Sequence, residues 1–206
     1  MDAGHWIDML QEQMAATTPW EWIAVIAGVT QVLLARVNNV WLYPAGIVST
    51  TIYIYLMTSA GLYAESFLNL YYLIMSIYGW VYWLRKNNQP PVPITHTNKR
   101  EWLISASIVF IGWLLMWLVL DRYTDSNVPV WDAWVSAAAW AGMWLLARRK
   151  IENWLLLNLS NLFAIPLFIY KGLLLTSFLT LILFIVAIFG YIEWRKLYRQ
   201  QRAASF

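Results

Sequence analysis

Seven apolar runs, each of roughly 17 to 23 residues, follow one another along the chain with only short polar breaks. Each is long enough to cross a hydrocarbon core of about 30 Å as a helix. In lipid the backbone must satisfy its own hydrogen bonds, so only helices and closed barrels can span, and continuous runs without alternation select helices. The runs are placed near 20–36, 39–58, 62–84, 102–120, 130–147, 153–170 and 174–194. Composition agrees, because 61% of the 206 residues are hydrophobic, more than a soluble domain of this size can hide. Ahead of the runs, residues 3–15 put Trp6, Met9, Leu10 and Met14 on one helical face and Asp8 and Glu12 on another. That pattern predicts a short helix lying in the membrane interface. The acidic start lacks the basic region of a cleavable signal peptide, so no removal of the N-terminus is expected.

Charge sets the expected orientation. Arg36, Arg85, Lys86, Lys99, Arg100, Arg148, Arg149, Lys150, Arg195, Lys196, Arg199 and Arg202 fall on one side of a seven-span arrangement. The other side has only Arg122 and Lys171, against Asp2, Asp8, Glu12, Asp121 and Asp125. The positive-inside rule then predicts a cytoplasmic C-terminus and an outside N-terminus. The net charge of +3 sits in these short clusters and does not form a nucleic-acid-binding face.

The chain repeats itself. Residues 61–85 lie over 172–196 without a gap, with Gly61/Gly172, Ser66/Ser177, Phe67/Phe178, Gly79/Gly190 and Trp83/Trp194 identical. Upstream, residues 34–36 match 146–148, and Trp41 falls over Trp154 if one gap is allowed. Spans 1–3 therefore duplicate as spans 5–7 in parallel orientation, and span 4 carries the chain back across. Parallel three-helix repeats are a transporter architecture, with the site expected near mid-membrane between the halves.

Polar groups inside the runs mark where that site is expected. Trp154, Asn158 and Asn161 fall at i, i+4 and i+7 on one face of the sixth run, where an amide facing lipid would be costly. Under the gapped alignment the first copy carries Ala45 and Val48 in place of Asn158 and Asn161, which predicts a site built mostly by the second copy. Asn69, Tyr72 and Ser76 form a second polar stripe, read either as another wall of the site or as helix-packing hydrogen bonds. Gln31 is a further candidate. Ser49, Thr50 and Thr51 are expected to bond back to their own helix. Trp117, with Trp113, Trp140 and Trp144, is deep enough to stack on an aromatic substrate or simply to pack. Trp41, Trp80, Trp83, Trp102, Trp131 and Trp194 lie near run ends, as in an interfacial aromatic belt. Glycines 28, 46, 79, 142 and 190 are read as points of close helix contact.

The absences narrow the function. No Asp, Glu, Lys, Arg or His lies in the middle of a run; Glu21, Glu65, Asp132 and Glu193 are all near ends. A proton-coupled carrier usually needs such a group, so uncoupled facilitated diffusion is favoured. There is no P-loop, and the two histidines, His5 and His96, lie outside the runs, which removes an intramembrane hydrolase of the Ser/His type. The last run has no lysine of the kind a retinal protein needs. The lack of cysteine removes disulfides and thiolate metal sites, and no cofactor is expected.

The segments 21–28 (EWIAVIAG), 41–47 (WLYPAGI), 75–80 (MSIYGW) and 191–195 (YIEWR) resemble the PnuC vitamin transporters, typified by nicotinamide riboside uptake, and the likeness spans residues 19–195. The resemblance implies an all-α integral protein of the bacterial inner membrane, with seven transmembrane helices in a 3+1+3 parallel-repeat arrangement, a full-length relative of the SWEET carriers. Its parts would be an interfacial helix (1–18), a first three-helix repeat (19–85), a loop and linker helix (86–128), a second repeat (129–197) and a cytoplasmic tail (198–206). It further implies facilitated diffusion of nicotinamide riboside with trapping by a cytoplasmic riboside kinase that makes no stable contact, and trimeric assembly in the bilayer. In that family the tryptophan and asparagine of the sixth span are associated with the site, and Trp154 and Asn158 match their spacing. Relatives for thiamin and riboflavin exist, so another aromatic vitamin or a small sugar remains open, as does a ligand-sensing receptor.

Overall fold

The computed structural model describes residues 3–84, 92–124 and 126–204, without the side chains of residues 3–6, 63 and 64. Asp2, Arg85, Lys86, Pro90, Pro91 and Asp125, together with the side chains of His5 and Trp6, lie outside the described residues. Eight helices are present among those described: α1 (Ala3–Ala16), α2 (Pro19–Arg36), α3 (Leu42–Ser59), α4 (Tyr63–Trp83), α5 (Lys99–Tyr123), α6 (Pro129–Ala147), α7 (Asn153–Tyr170) and α8 (Leu174–Ala203). Local chemistry fixes several ends. Thr18 and Asn98 cap α2 and α5, and Glu21 and Glu101 at the third position reach back to complete capping boxes. Gly61 and Gly172 adopt φ of 75° and 73° in the α3–α4 and α7–α8 turns, a conformation glycine enters without the penalty of a Cβ.

α5, α7 and α8 are long and apolar enough to span a membrane by composition alone. The remaining helices from α2 to α6 have 18 to 21 residues, and tyrosine, tryptophan, serine and threonine dilute their apolar character. α8 runs on to Ala203, past the expected end near 194, because its basic last turns favour helix even where the apolar signal stops. The segment expected as a tail from 198 is thus largely helical. α1 meets α2 at a bend of 106°. It is pinned at that angle by Gln13, whose amide donates to the Gly172 carbonyl (2.7 Å) and accepts from the Leu175 N–H (2.9 Å).

Packing is a closed ring. α2, α3 and α4 contact in series, as do α6, α7 and α8, while α4 against α6 and α8 against α2 close the circuit. α5 stays outside, packed on α6 with a minor contact to α4.

The two halves repeat with one separation of 111 residues throughout. Asn38 and Arg149 share positive φ (56° and 60°). Ser49 Oγ donates to Ala24 O as Ser160 Oγ does to Val135 O, and Ser66 to Ile54 O as Ser177 to Ile165 O. No gap exists. The upstream match of 34–36 with 146–148 is therefore a coincidence of composition, and the position equivalent to Trp154 is Tyr43, not Trp41, which is 65% exposed. Ser49 also departs from expectation, since its hydroxyl joins α3 to α2 and does not bond back into its own helix; Thr50 alone follows the expected pattern, donating to Gly46 O.

Candidate functional site

Each ring helix except α6, which α5 covers, turns an apolar, exposed side outward. On α4 this side carries Phe67, Leu70, Ile74, Ile77 and Val81, so Asn69 and Ser76 face the ring interior, while Tyr72 of the same stripe packs against the cluster of Met116, Leu120, Ala133 and Trp140. One flank of that stripe is fixed to α6, where Tyr71 stacks on Trp140 (4.6 Å) and donates to its carbonyl. The other flank is fixed to α3 through Ser66. On α7 the outward side carries Leu155, Leu159 and Leu162, which turns Asn161 inward and leaves Asn158 on the flank toward α8.

Toward the basic end the interior is closed by four rings in a row. Tyr43 meets Trp83 edge-on (5.2 Å), Trp83 meets Trp194 at a tilt (6.1 Å), and Trp194 meets Trp154 edge-on (5.8 Å). The outer rings rest on glycine backbone: a Cβ on Gly190 would lie 2.7 Å from Trp154, and one on Gly79 would overlap Tyr43. Trp83 and Trp194 occupy equivalent positions and touch each other, so the row crosses the internal twofold axis. These two tryptophans are buried there; the belt expected from their place near helix ends does not hold for them.

Below the row, the turns between the first two helices of each repeat meet. Arg149 donates from Nε (3.0 Å) and Nη2 (2.8 Å) to Asn38 Oδ1, donates from Nη1 to Val92 O (2.6 Å), and lies 4.3 Å over Trp83. The segment 92–98 is bound across this end. Thr95 exchanges backbone hydrogen bonds with Arg149 and Ile151, and Lys150 pairs with Glu101 (2.9 Å). Glu152 accepts from the Thr97 N–H and hydroxyl and contacts His96. Burial raises the Glu152 pKa, but these bonds outweigh it and hold it below the usual carboxylate value.

The candidate residues divide as follows. Ser76 and Asn161 each lie seven residues from the row, about 10 Å of helix rise above it. Ser76 is fully buried, and Ser76 Oγ and Asn158 Oδ1 have no hydrogen-bond partner among the described residues. Neither do Tyr43 Oη and Trp154 Nε1. Buried polar atoms are normally satisfied, so this group of donors and acceptors is suited to meet a polar ligand. Asn69 uses Nδ2 on its own helix, donating to Glu65 O (2.9 Å). Gln31 lies across Gly46 between α2 and α3. Trp117 sits on α5 outside the ring, stacked with Trp113 (6.3 Å), and of the other candidates Tyr72 packs against the same cluster of Met116, Leu120, Ala133 and Trp140.

Tyr43 escaped the sequence reading because a gap drew attention to Trp41; holding the register at 111 residues finds it. The register also corrects the comparison of the copies, since Ile47 and Thr50, not Ala45 and Val48, match Asn158 and Asn161. On α8 the positions matching Asn69, Tyr72 and Ser76 are Thr180, Leu183 and Ala187. The polar interior is therefore shared between α4 of the first repeat and α7 of the second. Two cavities of about 800 and 320 Å³ lie away from it, between α5 and the α6–α7 pair, with Phe110, Trp113 and Trp134 common to both. Their apolar walls suit hydrocarbon better than a hydroxylated ligand. Among the described residues no cluster of three metal-ligating side chains occurs.

The family model described as nicotinamide mononucleotide transporter matches residues 18–196. The chain is 23% identical over 204 residues to the nicotinamide riboside transporter PnuC of Escherichia coli (strain K12), covering 84% of each protein. To the protein of the same name from Neisseria mucosa it is 25% identical over 212 residues, covering 93% of this chain and 78% of that one. Among solved structures it matches one described as the vitamin B3 transporter PnuC, with a TM-score of 0.69 at 21% identity over 95% of this chain and 90% of that one. That last likeness is one of fold.

Proposed function

The chain belongs to the nicotinamide mononucleotide transporter family, that of the PnuC proteins, and from this premise we propose that it takes up nicotinamide riboside by facilitated diffusion. One observation carries the choice of ligand: Ser76 Oγ on the inward face of α4 and Asn158 Oδ1 on the flank of α7 toward α8 are uncharged groups without partners among the described residues. An asparagine can pair with a carboxamide, hydroxyls with the ribose, and an aromatic face with the pyridinium ring. The mononucleotide in the family's description is disfavoured, because no lysine or arginine lies mid-helix near that interior to meet a phosphate. Trp154, Asn158, Asn161, Tyr72 and Ser76 are the proposed contacts, with Tyr43 added and with Asn69 and Gln31 bordering them.

In this reading seven helices span the bilayer, α2–α4 and α6–α8 as parallel repeats with α5 as linker, in a SWEET-like 3+1+3 arrangement. The divisions 1–18, 19–85, 86–128, 129–197 and 198–206 describe its parts, with α1 in the interface. The N-terminus is outside and the C-terminus cytoplasmic, in the inner membrane of a bacterium. Transport proceeds by rocking one three-helix unit against the other, so that the aromatic row parts. A cytoplasmic kinase keeps the gradient inward by phosphorylating the product, and the transporter itself makes and breaks no covalent bond. Assembly as a homotrimer follows the family expectation.

Proteoliposomes containing only this protein test the reading. Labelled riboside enters down its gradient, and an imposed proton gradient leaves the rate unchanged. Binding without entry supports a receptor instead. Tighter binding of thiamin, riboflavin or a small sugar in a parallel titration reassigns the substrate.

A further inference from the structure

Three helices of this protein carry glutamate at their third position, and one of the three is not used as a cap. Glu21 and Glu101 bond back to the N–H of Thr18 and Asn98. Glu65, third in α4, follows Leu62, which offers no side-chain cap and whose N–H is already taken by Met57 O. Its Oε2 is buried with no partner among the described residues. Leaving a carboxylate oxygen desolvated and unpaired is unfavourable, so this oxygen is suited to meet a group that the described residues do not supply.

Its place supplies the function. Glu65, Asn69, Tyr72 and Ser76 follow at four-, three- and four-residue steps, so the carboxylate continues the inward stripe of α4 at the end remote from the aromatic row. The equivalent residue of the second repeat is Thr176, so the charge stands on one side of the path only.

The geometry points to Glu65 as the residue that reads the positive charge of the substrate. Its carboxylate meets the pyridinium ring of an N-ribosylated nicotinamide where the ligand enters the polar stripe, and it discriminates this cation from a neutral ring of the same shape. The inference rests on the riboside reading above and deepens it, because that reading lacked an anion to balance the ring. No bond forms or breaks; the interaction is electrostatic.

The test compares nicotinamide riboside with its uncharged 1,4-dihydro form, which differs by a hydride at C4 and so in ring aromaticity as well as charge, in proteoliposome uptake of wild type and variants. In the wild-type protein the cation is preferred. In Glu65→Gln, KM for the cation rises about tenfold, as for one partly exposed charge pair, while KM for the dihydro form is unchanged. Glu65→Asp, which keeps the charge, retains the preference. Equal loss for both ligands in Glu65→Gln would assign Glu65 to helix stability, and no change for either would remove it from the path. A wild-type protein that carries neither ligand overturns the riboside reading itself, an outcome separate from these.

Discussion

The helix triples α2–α4 and α6–α8 share turn conformations and bonds between helices and differ in their polar side chains. Turn conformations, serine bonds between helices and an aromatic ring seated on glycine all recur at one spacing. The polar side chains along the helix stripes do not. α4 presents Asn69, Tyr72 and Ser76 where α8 has Thr180, Leu183 and Ala187, and α7 presents Asn158 and Asn161 where α3 has Ile47 and Thr50. Even a conserved contact is built in reverse: Gln31 of α2 lies over Gly46 of α3, whereas Leu157 of α7 lies over Gly142 of α6. What duplication preserves is the way helices lock together; what it releases is the chemistry between them. A ligand bound there meets polar groups from non-equivalent helices, as an asymmetric molecule requires.

The comparison breaks first at the aromatic row. Trp154→Ala and Tyr43→Ala are each expected to destabilise the protein by about 3 to 5 kcal/mol in detergent unfolding, while Trp41→Ala changes stability by less than about 1 kcal/mol. A large effect at Trp41 with a small one at Tyr43 would restore the gapped alignment. Gly79→Ala and Gly190→Ala come next, at about 1 to 3 kcal/mol each, because the added methyl overlaps a ring that has nowhere to go. Similar losses at both sites mark them as equivalent.

Binding sharpens the contrast. Asn158→Ala is expected to weaken riboside affinity by about 1 to 3 kcal/mol in calorimetry on folded protein, whereas Ile47→Ala leaves it nearly unchanged. Equal effects would mean that the ligand uses both copies alike.

The segment 92–98 treats the copies differently as well. It binds Glu152 of the second, while the matching residue of the first, Trp41, is exposed. A carboxyl held below its ordinary pKa contributes stability that is present above the unfolded value and is lost as pH falls through the folded one. Stability of the wild type should therefore fall below the ordinary carboxylate range more steeply than that of Glu152→Gln, which lacks about 1 kcal/mol of this bonding at neutral pH. Parallel pH profiles would show that the contact carries no stability. The smallest effect is at Asn69: its amide bonds within its own helix, so Asn69→Ala shifts unfolding by only about 0.5 kcal/mol.

Helix positions were legible in the sequence because apolar run lengths and caps are local. The expected run at 153–170 coincides with α7, and most others differ by one to three residues. α8 extends past the apolar run because the run ends where its polar turns begin. Periodicity groups Asn158 with Asn161 on one face of α7, and the structure separates them, Asn161 inward and Asn158 on the flank toward α8. The row of four rings was not legible, since each tryptophan near a helix end looks like a belt residue until the partner from the other repeat is known. Trp117 misled for the converse reason: depth along α5 says nothing about which side of the ring that helix occupies. Glu65 reads from sequence as a residue near an end, although its spacing from Asn69 places it on the stripe.

The meeting of Asn38 with Arg149 bears on how such a chain can arise. The two residues are copies of one ancestral position, and their bond places that position on the twofold axis. In a dimer of identical halves a residue on the axis faces itself and must be self-complementary. Asparagine meets that demand, with a donor and an acceptor on one amide, but two arginines would repel. Fusion into a single polypeptide lifts the restriction, and one copy can then become the cation that the other binds. Axis positions are thus where a duplicated chain first gains contacts that no symmetric ancestor could hold, and a half-length version built from the second repeat alone would carry its own obstacle to pairing.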